Sequence, residues 1–331
     1  MRGRLHCLTR VGSAFVNPVL VLMAMALALV ACNSPAKSGS LPGSSTGATS
    51  GTGPPTSPVS GGSRIAFIEA HQDNKGPLYT MAPDGSDVRK LTDFDIEAPA
   101  WSPDGTKIAF DSDKAGGIHI FTVNADGTGL QQITNGDGEG FPSWSPDGTH
   151  MAIDGPSGIN IVTVATGEMV PITQNPYGDQ GYDSGPQYSP DGTQIAFHRT
   201  HNASSIVYVM NVDGSAMHRL TPAGMWSADP NWSPDGPRIV FNDVKTTGSR
   251  HIFVINPDGT GLRQLTNARK GDDFHATWSP DGRRILFTRY ISPPSHLFAL
   301  YTVKPNGTDV RLLYRTPVTD VNDSDWWGPT G

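Results

Sequence analysis

From residue 63 onward the apolar residues fall in short β-rich runs divided by turn formers, and the pattern recurs every 43 to 46 residues. Each unit opens on an aromatic followed by Ser-Pro-Asp-Gly, beginning at Trp101, Trp144, Tyr188, Trp232 and Trp278. Seven residues later comes a second apolar run: Ile108-Ala109-Phe110, Met151-Ala152-Ile153, Ile195-Ala196-Phe197, Ile239-Val240-Phe241 and Ile285-Leu286-Phe287. A third run follows, then an Asp-Gly turn such as Asp126-Gly127 or Asp258-Gly259. A Leu-Thr or Ile-Thr closes the unit at Thr134, Thr173, Thr221 and Thr266. Four short runs between turns predict a four-stranded antiparallel meander. Pro presets the first turn position, Asp caps its own backbone, and Gly takes the left-handed conformation.

A single four-stranded sheet cannot bury both of its faces, so units of this kind stack radially into a propeller. The chain ends set the number of blades. Ile65-Ala66-Phe67, Leu78 to Met81 and Leu91-Thr92 supply the second to fourth strands of a first blade, whose aromatic would fall at Pro58. Asp325-Trp326-Trp327, at the other end, fits that missing first strand. The expected fold is therefore all-β, a six-bladed propeller over 64–331 closed by its C-terminal strand. These motifs resemble the TolB-like β-propeller repeat family over nearly all of that range. The resemblance implies the fold. TolB itself carries an additional α/β domain before its propeller, for which this sequence leaves no room, so the family's role in envelope integrity is not carried over with the fold.

The first residues are read separately. Arg2, Arg4 and Arg10 precede the unbroken apolar run Val19 to Val30, which is shorter than the roughly 20 residues a membrane span needs. Leu29-Val30-Ala31-Cys32 resembles a lipoprotein lipobox, which implies cleavage of 1–31 and a lipid on Cys32. Cys7 would leave with the leader, so the folded part holds no thiol for a disulfide or a cysteine metal site. In the spacer 33–63, 25 of 31 residues are Gly, Ser, Pro or Thr, the composition of a flexible tether. The leader takes three of the 24 basic residues and none of the 31 acidic ones, so the net charge of −7 becomes more negative on processing. An acidic chain without a basic tract argues against nucleic acid as a ligand. Localisation is expected at a bacterial membrane surface, facing the periplasm or the exterior. Asn33 lacks the acid associated with inner-membrane retention.

The turn aspartates Asp104, Asp147, Asp191, Asp235 and Asp281 read as turn formers. Chemistry is expected on the opposite, irregular face, where the blade-to-blade connections rim the channel. Those connections carry Asp93, Asp95, Asp137, Asp179, Asp272, Asp320 and Asp325. The residues expected at the channel mouth are Glu97, Glu139, Asp183, Asp229, His275 and Asp323. The second-to-third loops of the same face carry His71, His198, His201, His251 and His296. Such a mouth attracts a cation, a basic peptide or a partner's basic patch. Carboxylates beside imidazole also suit a divalent cation, for which His275 and Asp273 are the candidates. The leading expectation is a monomeric module binding an envelope protein or peptide. The alternative is a metal-dependent carbohydrate-active enzyme, lyase-like, or a lactonase, using the same mouth. Gly43 to Gly47 matches Gly-x-Ser-x-Gly only inside the spacer, without the strand-to-helix turn that chemistry needs.

Overall fold

A computed structural model describes residues 62–70, 75–136, 138–174, 181–202, 204–244, 249–268, 271–291, 297–316 and 319–329. The leader, Cys32, the spacer as far as 61, and the loop residues His71, Asp137, Asp179 and His296 lie outside them.

Every regular element among the described residues is a strand, and the strands form six four-stranded antiparallel blades. Blade 1 combines β1 (Arg64–Ala70), β2 (Leu78–Met81) and β3 (Arg89–Lys90) with β24 (Asp320–Trp327) from the far end of the chain. Blade 2 is β4–β7 (97–132), blade 3 β8–β11 (140–171), blade 4 β12–β15 (181–219), blade 5 β16–β19 (227–264) and blade 6 β20–β23 (273–314). The innermost strands are β24, β4 (Glu97–Trp101), β8 (Gly140–Trp144), β12 (Gly181–Tyr188), β16 (Ser227–Trp232) and β20 (Asp273–Trp278). β24 pairs with β1 from Arg64↔Trp327 to Ala70↔Asp320, so the ring closes as the terminal motifs require.

The repeated apolar triplets form the second strand of each blade and are fully buried. In five blades their phenylalanine stacks on an aromatic of the third strand: Phe67 on Tyr79, Phe110 on Phe121, Phe197 on Tyr208, Phe241 on Phe253 and Phe287 on Tyr301, with centroids 5.6–6.1 Å apart. All five are directly opposed cross-strand pairs, the arrangement in which aromatics add most to a sheet. The closing threonines cap strands. Thr92, Thr134, Thr173, Thr221 and Thr266 accept the N–H of Leu78, Ile120, Ile159, Val207 and Ile252 at 2.8–3.2 Å. Each thereby pairs a buried donor of the third strand.

Polar side chains one residue before the aromatic tie neighbouring blades together. Asp325 accepts the N–H of Trp101 at 2.8 Å, Ser143 that of Tyr188 at 3.1 Å, and Asn231 that of Trp278 at 3.4 Å. Asp325, read above with the acids rimming the channel, therefore acts in closure. Burial pushes its carboxyl up, against the hydrogen bonds that hold it down. Trp327 donates to the Pro103 carbonyl at 3.0 Å, and Ser63 bonds both Trp326 and the Trp327 carbonyl at 2.7 Å.

Deleting residues 320–331 would strip the inner edge of β1 and leave blade 1 with three strands. The truncated chain is expected to lose its single cooperative unfolding transition, or to melt on the order of 10 °C lower, by calorimetry of the purified protein. An unchanged transition would mean that closure by β24 is dispensable.

Candidate functional site

Each inner strand skips its ladder at the same place. The register breaks between Glu97 and Ala100, Gly140 and Ser143, Ser184 and Gln187, Ala228 and Asn231, and Phe274 and Thr277, while β24 leaves Asp323 unpaired. Pro99, Pro142, Pro186 and Pro230 fall in four of these breaks and have no N–H to offer the ladder. The residue three before the aromatic is thrown into the left-handed region in every blade. Ala98, Phe141, Gly185, Asp229, His275 and Asp323 have φ of 46°, 51°, 61°, 53°, 49° and 35°. Bulges re-aim side chains, and all six of these residues line one cavity of about 290 Å³ along the propeller axis.

The ring is one-sided. Blades 2, 3 and 4 contribute Ala98, Phe141 and Gly185, whereas blades 5, 6 and 1 contribute Asp229, His275 and Asp323 in succession. His275 stands between the two carboxylates, with Nδ1 on Asp323 and Nε2 3.6 Å from Asp229. Burial pulls the imidazole down, but Asp323 and then Asp229 outweigh it and push it up to about 9. The group is thus held as an imidazolium at neutral pH, paired with the two carboxylates that flank it. Asp229 would be raised by burial, yet the His275 imidazolium and the hydrogen bond from Asn242 hold its carboxyl below the ordinary value.

Behind this ring stands a second one, the residue ten after the aromatic. It reads Asp111, Asp154, His198 and Asn242 in blades 2 to 5. Asn242 donates to Asp229 at 2.6 Å, and His198 accepts the Asp229 N–H at 3.5 Å. Burial pulls the His198 imidazole down, which suits a neutral acceptor. Asp111 and Asp154 flank Gly140, where an added methyl would lie 3.0 Å from one carboxylate and 3.6 Å from the other. Burial pushes Asp111 well up, with Glu97 and Asp154 adding to it. Burial likewise carries Asp154 to about 6, against the hydroxyl of Ser184 and the Gly140 N–H.

Of the six residues expected at the mouth, Asp229, His275 and Asp323 line the cavity and lie together. The other three stand elsewhere. Glu97 is paired with Lys75 at 3.3 Å. Glu139 and Asp183 sit five residues before the aromatic, a position buried in all six blades as Ile96, Glu139, Asp183, Ser227, Asp273 and Val321. Glu139 accepts the Thr134 hydroxyl at 2.7 Å. Asp183 is gripped by Thr173 and by both arms of Arg199. Asp273, the metal candidate beside His275, is likewise held bidentately by Arg289 at 2.5 and 2.9 Å. Among the described residues no group of three or more His, Cys, Asp or Glu is disposed to hold a metal ion. Phe141, Asp111 and Asp154 were not singled out from sequence. Aligning the units on their aromatics, column by column, would have exposed them.

A family model described as the TolB beta propeller domain matches residues 43–153 and 139–327. A protein TolB homolog of Chlorobium luteolum is 29% identical over 206 residues, covering 60% of this chain and 46% of its own. The Tol-Pal system protein TolB of Francisella tularensis subsp. mediasiatica is 29% identical over 136 residues, covering 40% of this chain and 21% of its own. The chain thus spans less than half the length of these curated relatives. The crystal structure of TolB from Acinetobacter baumannii superposes with a TM-score of 0.69 at 22% identity, over 81% of this chain and 66% of that one, a likeness of fold.

Asp154 gives a test of the ring's electrostatics. Its folded pKa is raised, so both states carry the proton below about 4, stability falls as pH rises from about 4 to about 6, and the full penalty stands above that. Asp154→Asn is expected to raise stability by about 1–2 kcal/mol at pH 7.5 and to leave it unchanged near pH 4, measured by urea unfolding at both pH values. A loss of stability at pH 7.5 would show that the carboxylate is compensated.

Proposed function

Because the chain belongs to the TolB β-propeller domain family, we propose that it is a binding module of the bacterial cell envelope, taking a protein or peptide partner at the channel mouth. One observation carries this reading: the bulge ring is divided into a charged arc, Asp229–His275–Asp323, and an apolar arc, Ala98–Phe141–Gly185. A cavity of about 290 Å³ admits a few side chains rather than a domain. Carboxylates outnumber the imidazolium on the charged arc, which favours a partner bringing basic groups and laying apolar ones on Phe141, 38% exposed. The Tol-Pal system named for the Francisella relative supports an envelope setting. Cleavage before Cys32 and its lipidation would hold the module at the membrane on the 33–63 spacer, a reading supported by Leu29-Val30-Ala31-Cys32.

The test is photo-cross-linking in the native host, with p-benzoylphenylalanine in place of Phe141 and, as control, of Val88 on the outer rim. A discrete adduct is expected from position 141 alone and is expected to fall at least tenfold with Asp229→Lys, which reverses charge on the opposite arc. In the same cells, Cys32→Ala should move the chain from the membrane to the soluble fraction. An adduct indifferent to Asp229→Lys, or equal yields from both positions, contradicts binding at the mouth.

A further inference from the structure

On the face carrying the Ser-Pro-Asp-Gly turns, one seam between consecutive repeats stands open. A methyl group placed on Gly148, Gly192 or Gly282 would touch the turn proline of the preceding blade, Pro103, Pro146 or Pro234, at 3.9, 3.3 and 3.6 Å. On Gly236 it would meet nothing within 4 Å, although Pro190 is the residue due there. The Asp-Gly turns repeat the anomaly. At the equivalent glycine of the other five blades, Gly85, Gly127, Gly167, Gly214 and Gly307, a methyl would come to 3.0 Å or closer to a carbonyl of the neighbouring outer strand, whereas on Gly259 of blade 5 it would lie 3.6 Å from the Leu220 carbonyl. Both turns of blade 5 therefore stand off blade 4.

A local cause is legible. Thr106, Thr149, Thr193 and Arg283 each donate their N–H at 3.0 Å to the turn aspartate two residues back. In blade 5 that place is Pro237, which has no N–H, and Gly236 opens to a φ of 88° against 64–71° in the equivalent turns. A cleft of about 360 Å³ results, lined by Pro190, Asp191, Gln194, Trp232, Asp235 and Pro257.

The next seam shows what such a space accepts. Between blades 5 and 6 the Arg238 guanidinium lies over the Trp278 ring, 4.5 Å from its centroid, and its Nη2 reaches Asp235 at 3.2 Å. One blade earlier the equivalents are Trp232 for the ring, Asp191 for the carboxylate and Gln194 for the arginine. The aromatic and the acid are kept, and the cation is replaced by a shorter neutral side chain. Asp191 meets Ser189 and Thr193 but no basic group among the described residues, and their hydrogen bonds hold its carboxyl below the ordinary value.

We propose that the cleft between blades 4 and 5 is a receptor for an arginine side chain of a partner, its guanidinium over Trp232 and against Asp191. The site lies apart from the channel residues and does not rest on the function proposed for them. A guanidinium desolvated between an indole and a carboxylate combines cation–π attraction with a charge-assisted hydrogen bond, and Pro190 and Pro257 offer apolar surface for the aliphatic stem.

The test titrates N-acetyl-L-arginine amide into the mature chain and follows the Trp232 indole N–H by ¹H–¹⁵N NMR. A saturable shift of that resonance is expected, weakened about fivefold or more by Asp191→Asn and absent with the neutral isostere N-acetyl-citrulline amide. Gln194→Arg supplies the guanidinium from within, as Arg238 does next door, and is expected to abolish the response while raising the melting temperature. No Trp232 shift, an equal shift with the citrulline probe, or an undiminished response in both Asp191→Asn and Gln194→Arg would overturn the proposal.

Discussion

Ring closure is the constraint on which the rest depends. A propeller blade is apolar on both faces and is covered only by its neighbours, so an open ring would leave two sheets facing water. The chain meets this demand by sending β24 back to β1. Around the join, Asp325 caps the Trp101 N–H, Trp327 reaches the Pro103 carbonyl, and Ser63 ties both tryptophans. Blades 6, 1 and 2 are locked through the two ends of the chain. The charged arc straddles this lock, for Asp323 comes from the last strand and His275 from the blade before it.

Once closed, the ring multiplies any feature of the repeat by six. The bulge three residues before the aromatic is such a feature, and it puts one side chain per blade on the axis. The backbone keeps near-sixfold regularity there, and the side chains break it. Turn aspartates, closing threonines and stacked phenylalanines each recur in five blades because each solves the same local problem there. Asp229, His275 and Asp323 solve no shared problem, nor does the Pro237 that parts the blade 4–5 seam. Departures from the repeat therefore mark the positions at which the molecule can differ chemically from a bare scaffold.

The strands, turns, number of blades and closing segment were legible because each is a short-range signal repeated along the chain. Half of the expected mouth was legible too, since Asp229, His275 and Asp323 stand close before their aromatics. Glu139 and Asp183 misled because an acid in a loop-like stretch reads as exposed. The same column holds Ile96 and Val321 in other blades, which marks it as buried. Arg199, the partner of Asp183, comes from the neighbouring strand and is invisible without the pairing. Asp111 and Asp154 were missed for the converse reason: they close apolar runs that read as pure core, while the fold brings those strand ends together behind the ring.

The state of His275 decides whether the mouth is a preassembled charged arc. An NMR titration of its imidazole in the folded chain measures that state directly. A midpoint near 9 is expected, falling toward the ordinary value when Asp323→Asn removes one of the flanking carboxylates. A midpoint at or below about 6.5, indifferent to that substitution, would mean that the imidazole is neutral and that the arc does not exist as described.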